Sequence, residues 1–269
     1  MTAAAELAVV AGRPFVSSWS GGKDSYLAFS RAVAGGGRPR ALLCMLRADG
    51  RRTHSHALPP ALVERQAECL GLPLVTRAAD WDGYEAAFLD ALAELRGRHG
   101  VEVSVFGDID LQPHRDWVER VSAEAGLVAC LPLWDEPRRG LLEELLAQDV
   151  SATVVAVDGD RLPTRFLGRR LDPGVIAELE AQGVDACGEE GEYHTVVVDG
   201  PLFRAPLAVT RRGTLAIDQY RFADLAVDDQ PPLEASPAAD TAAAGAPDQD
   251  HARPHGPGRS SESSEVSQP

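Results

Sequence analysis

The sequence predicts an α/β protein, with a mostly parallel sheet carrying helices on both faces, a smaller α+β region after it and a polar tail. Three observations carry this. From Arg13 to Cys130 short apolar runs alternate with amphipathic stretches, the pattern of parallel strands joined by crossover helices. A glycine-rich turn, Ser20-Gly21-Gly22-Lys23-Asp24-Ser25, joins the first apolar run to the first amphipathic stretch. Beyond about Asp228 large apolar side chains almost vanish, so ordering that stretch would cost entropy with nothing to offset it.

Taken in order, strands are expected over residues 14–19, 41–46, 74–76 and 101–106. The first helix, 23–34, opens directly from the glycine turn. The second, 60–70, begins with proline at a tolerated early position and ends at Gly71. Helices over 84–96 and 115–125 carry apolar residues at helical spacing. The second region is expected to hold a helix over 141–148, a strand over 152–157, a helix over 173–182, a polar loop over 187–195, and strands over 196–198 and 207–217. This divides the chain into a flexible N-terminus (1–12), a nucleotide-binding domain (13–130), a smaller α+β acceptor-binding domain (131–227) and a disordered acidic, Pro/Ala/Ser-rich tail (228–269).

Composition narrows the function. With 44% hydrophobic and 25% charged residues and no apolar run near the ~20 residues of a membrane span, the 269-residue chain reads as soluble. The first twelve residues lack a basic segment followed by an apolar one, so a cytoplasmic location is expected. The four cysteines form no CxxC pair, which argues against a structural zinc site and against paired-thiol chemistry. A net charge of −15 argues against a general grip on DNA or other nucleic acid.

The glycine turn is the strongest motif. A strand-to-helix turn in an open α/β sheet offers unpaired N–H groups and a partial positive charge to an anion. Ser20 and Ser25 add hydroxyl donors, Gly21 and Gly22 allow close backbone approach, and Lys23 adds mobile charge. Of the 26 basic residues only Lys23 is lysine. Arginine's wide fork and lysine's compact ammonium are not interchangeable in a narrow turn, so the placement is informative. The spacing does not match a Walker A loop, and no GxGxxG follows a strand.

A second concentration of polar residues runs from Asp185 to Phe203, with Gly188, Glu189, Glu190, Gly191, Glu192, Tyr193, His194 and Thr195 at its centre. Its carboxylates suit an ammonium group or Mg2+, and His194 suits a base near neutral pH. Asp108 and Asp110 follow the fourth strand; Asp108 is a candidate Mg2+ ligand, with helix capping as the alternative. His56 is a candidate substrate contact in a polar linker, and Trp117 and Trp134 read as core.

SGGKDS resembles the PP-loop of the N-type ATP pyrophosphatases. GEEGEYHT followed by DGP, together with QAECLGLPL, FGDI and LPLW, resembles the diphthine-ammonia ligase family from Pro14 to about Phe203. The chain departs from that family's pattern at Glu190 and in the Ser-His-Ala-Leu context of His56. The resemblance implies a Rossmann-like nucleotide fold, cleavage of ATP between its α and β phosphates, and Mg2+-bound pyrophosphate as leaving group. It further implies amidation, by ammonia or an ammonia donor, of the diphthine carboxylate of elongation factor 2. By the same resemblance, residues 20–25 would bind ATP and residues 188–195 would line the acceptor or ammonia site; Lys23, Asp24, Glu192 and His194 are the catalytic candidates. A different acceptor, such as a small carboxylate or a tRNA base, and a non-catalytic ATP-binding role stand as alternatives.

Overall fold

The structure, a computed structural model, describes residues 3–228. The expectation of a disordered tail falls almost wholly outside them.

The alternation in the N-terminal half builds a parallel sheet of five strands: β1 (Pro14–Ser18), β2 (Arg38–Arg47), β3 (Leu74–Ala79), β4 (Val103–Val105) and β5 (Val128–Cys130). Their order is β3-β2-β1-β4-β5. Successive side chains on a strand point to opposite faces, and here both faces are apolar. Phe15 and Leu42 pack with α2 (Lys23–Ala34) and α3 (Pro60–Leu70) on one side. Their neighbours Val16 and Leu43 pack with α4 (Tyr84–His99) and α5 (Gln112–Glu124) on the other. The chain grows outward from β1 in one direction, then crosses over to β4. The crevice between the carboxyl ends of β1 and β4 is therefore the position where ligands bind in such sheets.

The second region builds an antiparallel sheet from β6 (Ser151–Asp158), β7 (Tyr193–Asp199), β8 (Val209–Ile217) and β9 (Tyr220–Val227), in the order β7-β6-β9-β8. Helices α6 (Arg138–Ala147) and α7 (Pro173–Ala181) accompany it. Its Val154 and Val196 lie in the same hydrophobic cluster as Phe15 and Val103 of the first sheet. The two expected domains thus share a core and belong to one compact unit.

Four elements differ from expectation: β5, which no expected strand covers, and three others. Residues 3–10, expected to be flexible, form helix α1 (Ala3–Val10). It docks because the buried Glu6 carboxylate takes hydrogen bonds from Arg115 Nη2 at 2.7 Å and from the Leu131 amide at 3.1 Å. β7 begins at Tyr193 rather than after Thr195, so His194 and Thr195 stand on a strand, paired with Ala156 and Val154 of β6. β9 was not anticipated, although residues 220–227 are strand-forming; it closes a hairpin with β8 through Asp218, which takes a positive φ of 53°.

Glu6→Ala should lower stability by about 3 kcal/mol, because it leaves a buried guanidinium and a buried amide without their acceptor. Urea unfolding of the variant checks this; a midpoint matching the parent chain would mean that α1 contributes nothing.

Candidate active site

Helix α2 starts at Lys23, and Gly22, its N-cap residue, has no side chain to cap it. The glycines before it answer to protein neighbours rather than to the cavity. At Gly21, φ is 83°, and a Cβ would fall 2.8 Å from Gln66 Oε1. At Gly22 a Cβ would fall 2.7 Å from His56 Nε2. Gln66, fully buried on α3, ties this loop to both sheets. Its Oε1 accepts from Trp19 Nε1 at 2.8 Å, while its Nε2 donates to Gly21 O at 3.0 Å and to Val197 O at 2.7 Å. From the other side Thr195 Oγ1 accepts the Lys23 amide at 3.0 Å, and the Val197 amide donates to Gly21 O at 2.9 Å. Within the loop, Ser20 Oγ donates to Ser25 Oγ, and Ser25 Oγ donates to Gly22 O, each at 3.1 Å.

The acidic loop between α7 and β7 is knotted around Glu192. This fully buried carboxylate accepts the Asp185 amide at 2.9 Å, the Glu190 amide at 3.0 Å and Arg161 Nη2 at 3.1 Å. Asp185 in turn accepts the amides of Cys187 at 3.2 Å and Glu189 at 3.0 Å. Gly188 and Gly191 have φ of 79° and 80°, the left-handed backbone that glycine adopts without strain. The result turns Glu189 inward, its carboxylate 3.8 Å from Lys23 Nζ. Glu190 instead turns outward to Arg161.

Lys23 is only 5% exposed, and its Nζ lies 2.8 and 2.7 Å from the two Asp24 oxygens. Burial alone would lower its pKa; Asp24 first, together with the other acidic groups around it, including Glu189, more than offsets this and holds it well above the ordinary value. Glu189 is pushed up to about 8 by burial first and by Asp24 second. His56 and His194 face each other with ring centroids 4.7 Å apart. Burial, then the His194 and Lys23 charges, keeps His56 well below its ordinary pKa; burial and Lys23 bring His194 to about 4. Both imidazoles are therefore neutral bases near pH 7.

These groups line a cavity of about 690 Å3. Ser20, Lys23, Asp24, Ser25, His56, Glu189, His194 and Thr195 reach it, as do Asp108 and the glycines Gly188 and Gly191. Glu192 does not: its side chain is spent on the loop. Asp24, Cys187 and Glu189 have ligand atoms within 4.8 Å of one another. The two carboxylates are hard donors suited to Mg2+, whereas the Cys187 thiol, pushed up to about 12 by burial, stays protonated and does not suit it. Asp108, the expected Mg2+ ligand, is outside this group and accepts instead from His114 Nδ1 at 3.0 Å.

Two family models match the chain in succession: the diphthamide synthase N-terminal domain over residues 15–129 and the diphthamide synthase C-terminal domain over residues 138–223. The chain belongs to the diphthamide synthase family. Curated relatives called diphthine--ammonia ligase include one from Mus musculus, 29% identical over 215 residues, spanning 71% of this chain and 80% of that protein. Another from Bos taurus is 28% identical over 232 residues, spanning 77% and 86%, and one from Danio rerio is 29% identical over 227 residues, spanning 76% and 89%.

Within this diphthamide synthase framework, four features went unread in the sequence. Gln66 looked like an ordinary helical polar residue, and nothing local marked it as a clamp. Gly107 could have been read from its place after β4: a Cβ there would fall 2.8 Å from the Asp24 carbonyl carbon, so only glycine lets β4 approach the loop. Trp117, assigned to the core, packs against the second hydrophobic cluster and also lines the cavity. Arg161 serves Glu192 from the turn after β6, a partner separated by 31 positions.

Gln66→Leu strands the Trp19 indole N–H and takes one donor each from Gly21 O and Val197 O, and should cost about 2–4 kcal/mol of stability together with most ATP affinity. Chemical unfolding and nucleotide titration measure both; retention of full affinity would show that the loop holds its shape without this clamp. The depressed pKa of His194 has a sign that can be worked out. The unfolded chain takes up a proton that the folded one refuses, so this contribution is complete above the ordinary value near 6.5 and is lost as pH falls toward 4. In His194→Asn the stability loss between pH 6.5 and 4 should be shallower; an identical slope would mean that the imidazole titrates normally.

Proposed function

We propose that the protein is an ATP-dependent, amide-forming ligase that adenylates a carboxylate and then amidates it with ammonia, as the names of its curated relatives suggest for diphthine. One observation carries the reading. The start of α2 and its lysine share a single cavity with two neutral imidazoles supplied by different segments.

The steps follow from the groups present. ATP would lay its phosphates against residues 20–25 and its nucleoside over the β1–β4 crevice, where Ser18 and residues 106–109 line the cavity. An acceptor carboxylate oxygen attacks the α phosphorus, the α–β bridge breaks, and pyrophosphate leaves. Lys23 stabilises the charge that develops on the departing oxygen, and Asp24 holds the ammonium in place, with the Glu189 carboxyl beside it. Mg2+ arriving with ATP would be held by Asp24 and Glu189 and would neutralise pyrophosphate charge. Ammonia then adds through nitrogen to the acyl carbon and displaces AMP, while a neutral imidazole, His194 with His56 behind it, takes the proton shed by nitrogen. Glu192 acts as a positioning residue through the loop that presents Glu189. The substrate of the relatives, diphthine, is the acceptor favoured here, with ATP and ammonia as co-substrates and the cytoplasm as the setting. The chain has no helix among the described residues long and apolar enough to cross a membrane.

Incubation with α-labelled ATP, ammonia and a diphthine-bearing protein should yield AMP and pyrophosphate. ADP and phosphate as products would overturn the reading. Lys23→Ala should lower kcat by about 10²–10³-fold, and His194→Ala should lower acceptor-dependent turnover while ATP still binds.

A further inference from the structure

His56 reaches the cavity from the stretch between β2 and α3, in the Ser-His-Ala-Leu run, and the backbone beside it is strained. Four non-glycine residues among the described ones take a positive φ: Ala57, Asp135, Asp149 and Asp218. Aspartate enters the left-handed region more readily, because its short polar side chain can bond locally; alanine has no such recourse. Ala57, with φ of 50°, follows His56 directly and is buried. Such a conformation persists only where its surroundings over-determine it.

Here they do. Thr53, also buried, closes the turn from both directions: its amide donates to Leu58 O at 2.9 Å, and its Oγ1 accepts the Leu58 amide at 3.1 Å. Ala57 itself packs with Ala156 of β6 and Phe222 of β9. Arg52 then takes hold of the strained residue. Its Nη1 donates to Ala57 O at 3.0 Å while its Nη2 donates to Asp224 Oδ1 of β9 at 2.9 Å, so one guanidinium ties that carbonyl to the second sheet. The planar fork fixes both bonds at once.

The strain has a use at the site. His56 Nδ1 is buried with no hydrogen-bond partner among the described residues, so that edge of the ring does nothing to hold its direction. The backbone around it must do so. The outcome is a His56 ring whose centroid lies 4.7 Å from that of His194, with Nε2 close against Gly22. We infer that Arg52, anchored on Asp224, is a positioning residue that locks Ala57 in the left-handed conformation and so aims the His56 imidazole at His194. That the aimed pair serves as the base of the amidation step rests on the ligase reading; the brace itself does not.

Two readouts on the full chain test this. One is the nuclear Overhauser effect between the ring protons of His56 and His194, which needs no substrate. The other is kcat for ammonia-dependent turnover of a diphthine-bearing protein. Arg52→Ala should lower both about tenfold, the factor that a left-handed penalty of about 1.4 kcal/mol gives. ATP affinity should be unchanged, because Gln66 and Thr195 still hold the glycine loop. Asp224→Ala, which leaves Nη1 on Ala57 O, should act in the same direction but less. The decisive variant restores: Ala57→Gly added to Arg52→Ala should recover most of both readouts, since glycine takes left-handed backbone without a Cβ penalty. Arg52 and Asp224 are partly exposed, and a pair of this kind adds little to stability, so every variant should fold. Unchanged readouts in Arg52→Ala, or no recovery on adding Ala57→Gly, would overturn the brace. An Overhauser effect that falls and recovers as stated, in a chain that turns ATP into ADP, would defeat the ligase reading and uphold the brace. AMP formation by the parent chain, with an Overhauser effect that Arg52→Ala leaves unchanged, would defeat the brace alone.

Discussion

Everything at the site depends on a glycine loop being gripped from both sides. One grip is the Gln66 carboxamide, which has spent both of its ends on Trp19, Gly21 and Val197. The other is the edge of β7, which meets the loop through Thr195 Oγ1 and the Val197 amide. A loop whose residues are glycine has the widest choice of unfolded conformations, so its native shape is held by partners rather than by intrinsic preference. Those partners lie on two different sheets, and this explains why the second sheet shares a core with the first instead of hanging from it. Nucleotide chemistry and acceptor chemistry are thereby placed in one rigid frame.

Charge is arranged around that frame with equal economy. A single ammonium sits in a nest of carboxylates, and its field reaches two imidazoles that burial has already made reluctant to ionise. Cation, carboxylates and neutral bases thus set each other's protonation states. Removing Asp24 would change more than the group it touches: the lysine would lose its main support, and Glu189 would lose the neighbour that helps keep its proton on.

Four of the five strands of the parallel sheet were legible because each, like the helices between them, carries its own periodic pattern, whereas the three residues of β5 were too short a run to read; α2 and α3 match the residues expected of them. The motif residues were legible as chemistry, since few roles suit a lysine inside a glycine turn. What escaped were relations between distant positions. Glu192 looked catalytic because it stands in a polar loop, yet its carboxylate faces three donors that the fold brings to it. Glu6 looked like part of a loose end because its partners are more than 100 positions away. Trp117 carries the helical spacing of a core residue and packs as one, and nothing local shows that it also lines the cavity.

The lone lysine has a practical corollary for labelling. Apart from the terminal amine, every aliphatic amine of this chain is Lys23 Nζ, and it is buried against Asp24. A reagent that acylates amines therefore reads a single interior position without mutagenesis. Its rate of reaction reports how often the loop opens, and any molecule that seats itself there becomes visible as protection of one atom.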